Sequence, residues 1–181
     1  TGMLSDLDAK ITDALSPSLT AARELLCSIP GWSTKVAEVF LAETGGDMTV
    51  FPTAGHLASW AGVCPGANES AGRVKSTKTR DGNRNLKGAL GIAALSVTRS
   101  KDTYFAAKYR RICVRRGPMK ALVAVERAMV VAAHGMLTNG DFYRDPGANY
   151  FTARRPGPIK ANAVRQLQAL GYTVTLEPAT A

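Results

Sequence analysis

Ser70 stands within Asn-Glu-Ser-Ala-Gly-Arg (68–73), and Arg73, Lys75, Lys78, Arg80, Arg84 and Lys87 follow it closely. A serine hydroxyl is a weak nucleophile that needs a base, a metal or a strong local field. Displacement at phosphorus gathers negative charge on the equatorial oxygens, which positioned Arg, Lys or Mg²⁺ stabilise. These cations lie near enough in sequence to converge on one phosphate, and Gly72 would let a strand approach the backbone. The set could therefore attack a phosphodiester and keep the bond energy of the cut strand in a phosphoserine ester. By residue type alone, a serine in a Gly/Lys-rich loop is far more often a turn residue, and Ser76, Thr77 and Thr79 are neighbouring hydroxyls. Asn83 reads as a helix cap first and a phosphate ligand second.

The surrounding charge favours a polyanion. Residues 70–120 hold fourteen Lys/Arg against Asp81 and Asp102, which is +12 where the whole chain of 181 residues carries +9. The remainder is therefore mildly acidic, and that asymmetry is the footprint of a nucleic-acid partner. With 45% hydrophobic residues the chain can build one good core, and a folded soluble domain is expected. The longest uninterrupted apolar stretch falls far short of a membrane span, so no membrane partner is expected. Cys27, Cys64 and Cys113 are scattered with no CxxC spacing, which fits a reducing cytosol. His56 and His134 have no neighbours of metal-ligand type, and no metal site is expected. Thr1-Gly2 ahead of Met3 reads as a cut within something longer.

The periodicities predict a mainly α protein. Leu4, Leu7, Ile11 and Leu15 form one stripe, so 1–17 reads as the end of a coiled-coil or linker helix. Residues 18–181 read as the main domain. Ser18 is expected to cap a helix carrying Leu19, Ala22 and Leu26. Ile29-Pro30-Gly31-Trp32-Ser33-Thr34 then resembles a helix-hairpin-helix turn, whose Gly31, Ser33 and Thr34 could face a phosphate, although a structural hairpin uses the same residues. Further helices are expected over 34–43, from Thr53 to Gly62 with Leu57 and Trp60 inward, and from Asn83 with Leu86, Leu90, Ala93, Ala94 and Val97 buried. Residues 62–82 read as a long basic loop. Helices follow over 103–116, 119–137 and 159–170, with 139–158 as loop. In the first of these the aromatics read as core, with base stacking by Tyr104 or Tyr109 as a weaker option. Tyr172–Leu176 reads either as a lone strand or as an extended tail.

Gly62-Val63-Cys64-Pro65, Asn68-Glu69-Ser70-Ala71-Gly72-Arg73 and Gly82-Asn83-Arg84-Asn85-Leu86-Lys87 together resemble the C-terminal domain of a family of prokaryotic insertion-sequence transposases. These carry an N-terminal RuvC-like DEDD nuclease domain and act as bridge-RNA-guided serine recombinases. Ile29-Pro30-Gly31, Phe51-Pro52-Thr53-Ala54, Tyr150-Phe151-Thr152 and Gly171-Tyr172-Thr173-Val174 also look like that domain, so the similarity runs from about residue 20 onward. The resemblance implies that Ser70 is the nucleophile and forms a covalent 5′-phosphoserine link to DNA. It implies that the acids holding Mg²⁺ lie in the RuvC-like domain, which nothing in this chain resembles, and that the active site is completed across subunits. Implied partners are DNA, a guide RNA, the RuvC-like domain and further copies in a homo-oligomer, in a prokaryotic, nucleoid-associated setting. Lys87 stands where the family usually has Arg, which keeps the charge and loses bidentate geometry.

Nucleic-acid contacts are thus expected from Gly31, Ser33, Thr34, Asn68, Gly72, Arg73, Lys75, Lys78, Arg80, Asn83, Arg84 and Lys87. The competing readings are a non-catalytic DNA- or RNA-binding module with an inert Ser70, and a helical scaffold that assembles a larger machine.

Overall fold

Side-chain caps set the helix starts. The computed structural model describes residues 6, 9–11, 13–66, 68–76 and 78–177, with backbone alone for 68–70, 74 and 75. Ser16 Oγ accepts from the amide of Leu19 and Pro17 occupies the first turn, opening α1 (Pro17–Cys27). Ser18, expected as the cap, lies inside that helix, because Pro17 is already in helical conformation and leaves the open position to Ser16. Ser33 caps α2 (Thr34–Thr44) and Thr53 caps α3 (Ala54–Trp60). Asn83 caps α4 (Arg84–Thr98), and Thr103 caps α5 (Tyr104–Arg116). In each case an oxygen takes an amide hydrogen that the first helical turn cannot satisfy. Gly45 closes α2 and Gly140 closes α6 (Pro118–Asn139), both in the left-handed conformation. Two largely exposed helices, α7 (Tyr150–Arg154) and α8 (Pro156–Ala169), follow α6.

The fold is mainly α, and α6 lies at its centre. It packs on α5, α4, α3 and α1, while α2 packs on α4 and α1. Its length and composition would suffice to cross a membrane, but its apolar face (Ala121, Val125, Met129, Val130, Ala133, Met136) is covered by those helices. The stripe expected on α4 is buried in full: Leu86, Leu90, Ala93 and Ala94 are fully buried, and Val97 is 2% exposed. Alanines at 93 and 94 let a backbone come close. A Cβ on Gly31 would lie 2.6 Å from the carbonyl oxygen of Ala93.

Several expectations are corrected. Residues 62–82 are not a loop, since β1 (Asn68–Ser70) and β2 (Arg73–Ser76) form an antiparallel hairpin there. Trp60 is 39% exposed, its ring 5.5 Å from that of Phe51, because α3 turns it past the edge of the core. The 139–158 loop contains α7, whose Tyr150 and Phe151 rings pack on Tyr104 of α5. For Tyr172–Leu176, read as either a lone strand or an extended tail, the tail holds: the segment pairs with no strand among the described residues. Of the N-terminal stripe, Leu4 and Leu7 lie outside the described residues, and the described residues from 6 to 14 are helical.

The hairpin is joined to the helices where the chain passes itself. A Cβ on Gly82 would fall 2.3 Å from the amide nitrogen of Gly62, and one on Gly62 would fall 2.8 Å from that of Gly82. Gly62 is also left-handed, with φ 73°. Gly72, at φ 72°, has open space where a Cβ would go. Two glycine-to-alanine changes should therefore differ. In urea denaturation, Gly82→Ala is expected to cost ~3 kcal/mol through overpacking, and Gly72→Ala only the ~1 kcal/mol of a left-handed alanine. Equal losses would contradict the crossing contact.

Candidate active site

Ser70 is the last residue of β1 and pairs in register with Arg73, the first of β2. Between them Ala71 (φ 50°) and Gly72 (φ 72°) make a two-residue turn with both residues left-handed. That turn matches the right-handed twist of paired strands, and Gly72 adopts it without steric cost while Ala71 is strained. The register slips between Asn68 and Glu69: Glu69 pairs with Val74 and Asn68 with Ser76, which leaves Lys75 as an extra residue on β2. Such a bulge bends its strand and increases its twist. The side chains of Asn68, Ser70 and Lys75 lie outside the described residues.

Below the bulge the hairpin is tied down at several points. The amide of Gly66 donates to the carbonyl of Lys78 at 3.0 Å, and Pro65 bridges Thr79. The Lys87 ammonium donates to Thr79 Oγ1 at 3.0 Å, linking the foot of the hairpin to α4. The amide of Asn83 donates to the carbonyl of Trp60 at 3.2 Å. Glu43 of α2 accepts from the side-chain amides of both Asn83 and Asn85, the latter at 2.7 Å. Those two hydrogen bonds, that from Asn85 first, hold its carboxyl below the usual range. Asn83 Oδ1 meanwhile takes the Leu86 amide at 2.9 Å. Both ends of the Asn83 amide are thus engaged within the chain, where they fix the start of α4.

The cations divide into two groups. Arg110 donates to the carbonyls of Ser100 and Lys101, Arg111 lies 4.2 Å from the centre of the Phe151 ring, and Lys108 lies over Tyr104. These close the end of α4 and clamp the 142–151 segment on α5. Phe151 stacks on the ring of Tyr104 and Tyr150 meets it edge-on. Arg73, Lys78, Arg80 and Arg84 are exposed, and none has an acidic side-chain partner among the described residues, where Arg23–Glu38 is the one salt bridge.

The helix-hairpin-helix residues lie elsewhere. Gly31 packs on Ala93, nine residues along α4 from Arg84 and hence ~14 Å of helix rise away. Close packing already accounts for a glycine at 31. Ser33 caps α2, and Thr34 is its exposed first residue.

One charged residue near the site was missed from the sequence. Glu126 of α6 is 7% exposed, and its Oε2 has no hydrogen-bond partner. Its Oε1 would lie 3.8 Å from a Cβ on Gly91, which is one turn along α4 from Lys87. Burial raises its carboxyl above the usual range, and the charge of Lys87 offsets part of that rise. The available signal was its spacing, four residues after Leu122 and three before Met129 on the expected apolar face.

A helical core thus presents a hairpin whose exposed cations have no acidic partner among the described residues. Residues 23–110 match the model of the transposase IS116/IS110/IS902 family. An uncharacterized 43.6 kDa protein of insertion element IS110 from Streptomyces coelicolor is 35% identical over 133 residues, covering 71% of this chain and 30% of that protein. An uncharacterized 42 kDa protein of insertion element IS900 from Mycobacterium paratuberculosis is 35% identical over 107 residues, covering 56% of this chain and 26% of its own. The chain thus spans about a third or less of the length of these curated relatives. The matches support a transposase domain.

Glu126 generates a pH prediction with a definite sign. A carboxyl whose folded pKa is raised binds more protons when folded, so its burden is absent below the ordinary value of 4.5 and grows as pH rises through the folded pKa. Glu126→Gln, which removes the buried charge and keeps the shape, should therefore stabilise the chain at pH 7.5. That gain should shrink toward zero in thermal melts at pH 4. A gain equal at both pH values would contradict the assignment.

Proposed function

We propose that this chain is the serine-bearing domain of a DNA transposase, with Ser70 as the nucleophile. The Ser70 oxygen attacks a backbone phosphorus, a bond from that oxygen to phosphorus forms, and the bond from phosphorus to the 3′ oxygen breaks. The products are a 5′-phosphoserine ester and a free 3′ hydroxyl, which takes up the proton. Reversal by another 3′ hydroxyl rejoins the strands without an external energy source. The observation that carries this reading is the placement of Ser70 beside a tight turn, opposite Arg73, on a hairpin tied to the core.

Arg73, Arg80 and Arg84 supply positive charge to the non-bridging oxygens as charge develops there. They are available for it because no carboxylate of the described residues neutralises them. Lys78 binds backbone phosphate, and Lys87, held on Thr79, keeps the foot of the hairpin on α4. Gly72 leaves open space at the turn for the strand. Ser33 and Thr34 form a separate phosphate contact at the start of α2, remote along α4 from the hairpin.

No group of three or more His, Cys, Asp or Glu side chains converges among the described residues. These residues do not fit a Mg²⁺ site, and no step here runs through one. In this reading Mg²⁺ belongs to a RuvC-like domain of the whole protein, which also engages a guide RNA and assembles as an oligomer. The isolated chain is accordingly expected to bind nucleic acid weakly and to leave it uncut.

The test uses the full-length enzyme and a nicked suicide DNA. Ser70→Ala is expected to abolish the covalent protein–DNA band on a denaturing gel, with loss of at least ~10³-fold in strand transfer and binding changed by less than about twofold. A band of undiminished intensity would overturn the assignment. In that case the hairpin is a binding module and Ser70 is inert.

A further inference from the structure

A groove of about 650 Å³ opens between the foot of the hairpin and the α5–α6 corner. Lys78, Arg116, Lys120 and Arg127 stand around it, and no acidic side chain of the described residues lines it. Its apolar lining comes from Ile112, Val123 and Met119. Met119 is 71% exposed, and nearby Val114, at the end of α5, is 89% exposed. Gly117 (φ 83°) and Pro118 turn the chain sharply here, which sets Met119 between Arg116 and Lys120 in sequence.

We infer that this groove binds an unpaired nucleotide of a nucleic-acid strand, its base on Met119 and Val123 and its flanking phosphates on Lys78, Arg116 and Lys120. Charge selects a polyanion, since the cations have no partner of their own among the described residues. The apolar lining selects within that class. A phosphate laid on it would lose hydration without gaining hydrogen bonds. The face of an unstacked base loses little there, and exposed apolar side chains flanked by cations are the groups that separate bases in other protein–nucleic-acid complexes.

Position favours a strand over an acidic protein segment. The groove wall includes Pro65 and Thr79, the bridge at the foot of the hairpin that carries Ser70. Five residues separate Pro65 from Ser70, a reach of at most ~17 Å, or a few nucleotide steps. A strand lying along the hairpin would thus pass from the proposed scission point into the groove. This inference rests on the nucleic-acid part of the functional reading and not on Ser70 being the nucleophile.

The experiment titrates the 181-residue chain into a single-stranded oligonucleotide carrying 2-aminopurine, and into the matching duplex. Binding to the single strand should raise 2-aminopurine fluorescence as the base leaves its neighbours. Met119→Ser, at an exposed position, should abolish the rise and weaken single-strand binding about fivefold or more, with duplex binding unchanged. The double variant Arg116→Glu/Lys120→Glu should reduce the slope of log affinity against log salt by about 0.7 per cation lost. Lys160→Glu/Arg165→Glu on α8 should leave that slope unchanged. Equal effects of Met119→Ser on single strand and duplex would overturn the proposal, as would insensitivity to the Arg116/Lys120 reversal. Polyglutamate that competes better than the oligonucleotide would instead assign an acidic protein segment. Ser70→Ala leaves the groove intact, so probe binding by that variant separates failure here from failure of the nucleophile assignment.

Discussion

Everything proposed for the hairpin depends on two backbones passing each other at Gly62 and Gly82. At that crossing neither residue has room for a Cβ, so the chain leaving α3 and the chain entering α4 lie in direct contact. Close passage alone would fix only a point. Glu43 adds orientation, because one carboxylate on α2 takes the amides of both Asn83 and Asn85 and so sets the start of α4 against α2. Pro65–Thr79 and Lys87–Thr79 carry that order to the foot of the hairpin. A phosphoryl-transfer site on a loop would have to order that loop at each turnover. A short hairpin clamped at its base carries less of that entropic cost, since the turn and bulge leave fewer backbone states to lose.

Electrostatics divides the basic middle of the chain by place. Along α5, Lys108, Arg110 and Arg111 serve the fold, covering aromatic rings and capping carbonyls. Beyond Arg111 the same helix carries Arg115 and Arg116, which have no such role among the described residues, and the hairpin and the start of α4 add further exposed cations. Exposed charge thus remains on the hairpin, at the start of α4 and at the α5–α6 corner. Glu126 is the counterpart inside the core: burial raises its carboxyl, and the charge of Lys87 offsets part of that rise.

Much of this was legible in the sequence, for identifiable reasons. Helical periodicity with small residues gave the buried face of α4 completely, and Thr53, Asn83 and Thr103 marked helix starts because their side chains do what a first turn requires. The hairpin was missed because Glu69, Ser70, Arg73 and Lys75 carry no alternation of apolar and polar residues, and its stability comes from the turn and from contacts at its base. The role of Gly31 was open for a similar reason. A glycine near Pro30 signals a turn, whereas its contact with Ala93 is made across more than sixty residues of sequence. Trp60 was expected inward alongside Leu57, but a short helix at the edge of the core turned it out against Phe51. Ser70 stands out as a candidate only through the motifs around it, since nothing in its local chemistry distinguishes it from Ser76.

The account stands on which oxygen becomes esterified to DNA. Trapping the full-length enzyme on a suicide substrate, digesting both partners and sequencing the cross-linked peptide by mass spectrometry identifies that atom's residue. The account predicts a nucleotide remnant on the peptide spanning the hairpin, attached at Ser70. Attachment at Ser76, Thr77, Thr79 or any residue outside the hairpin would contradict it.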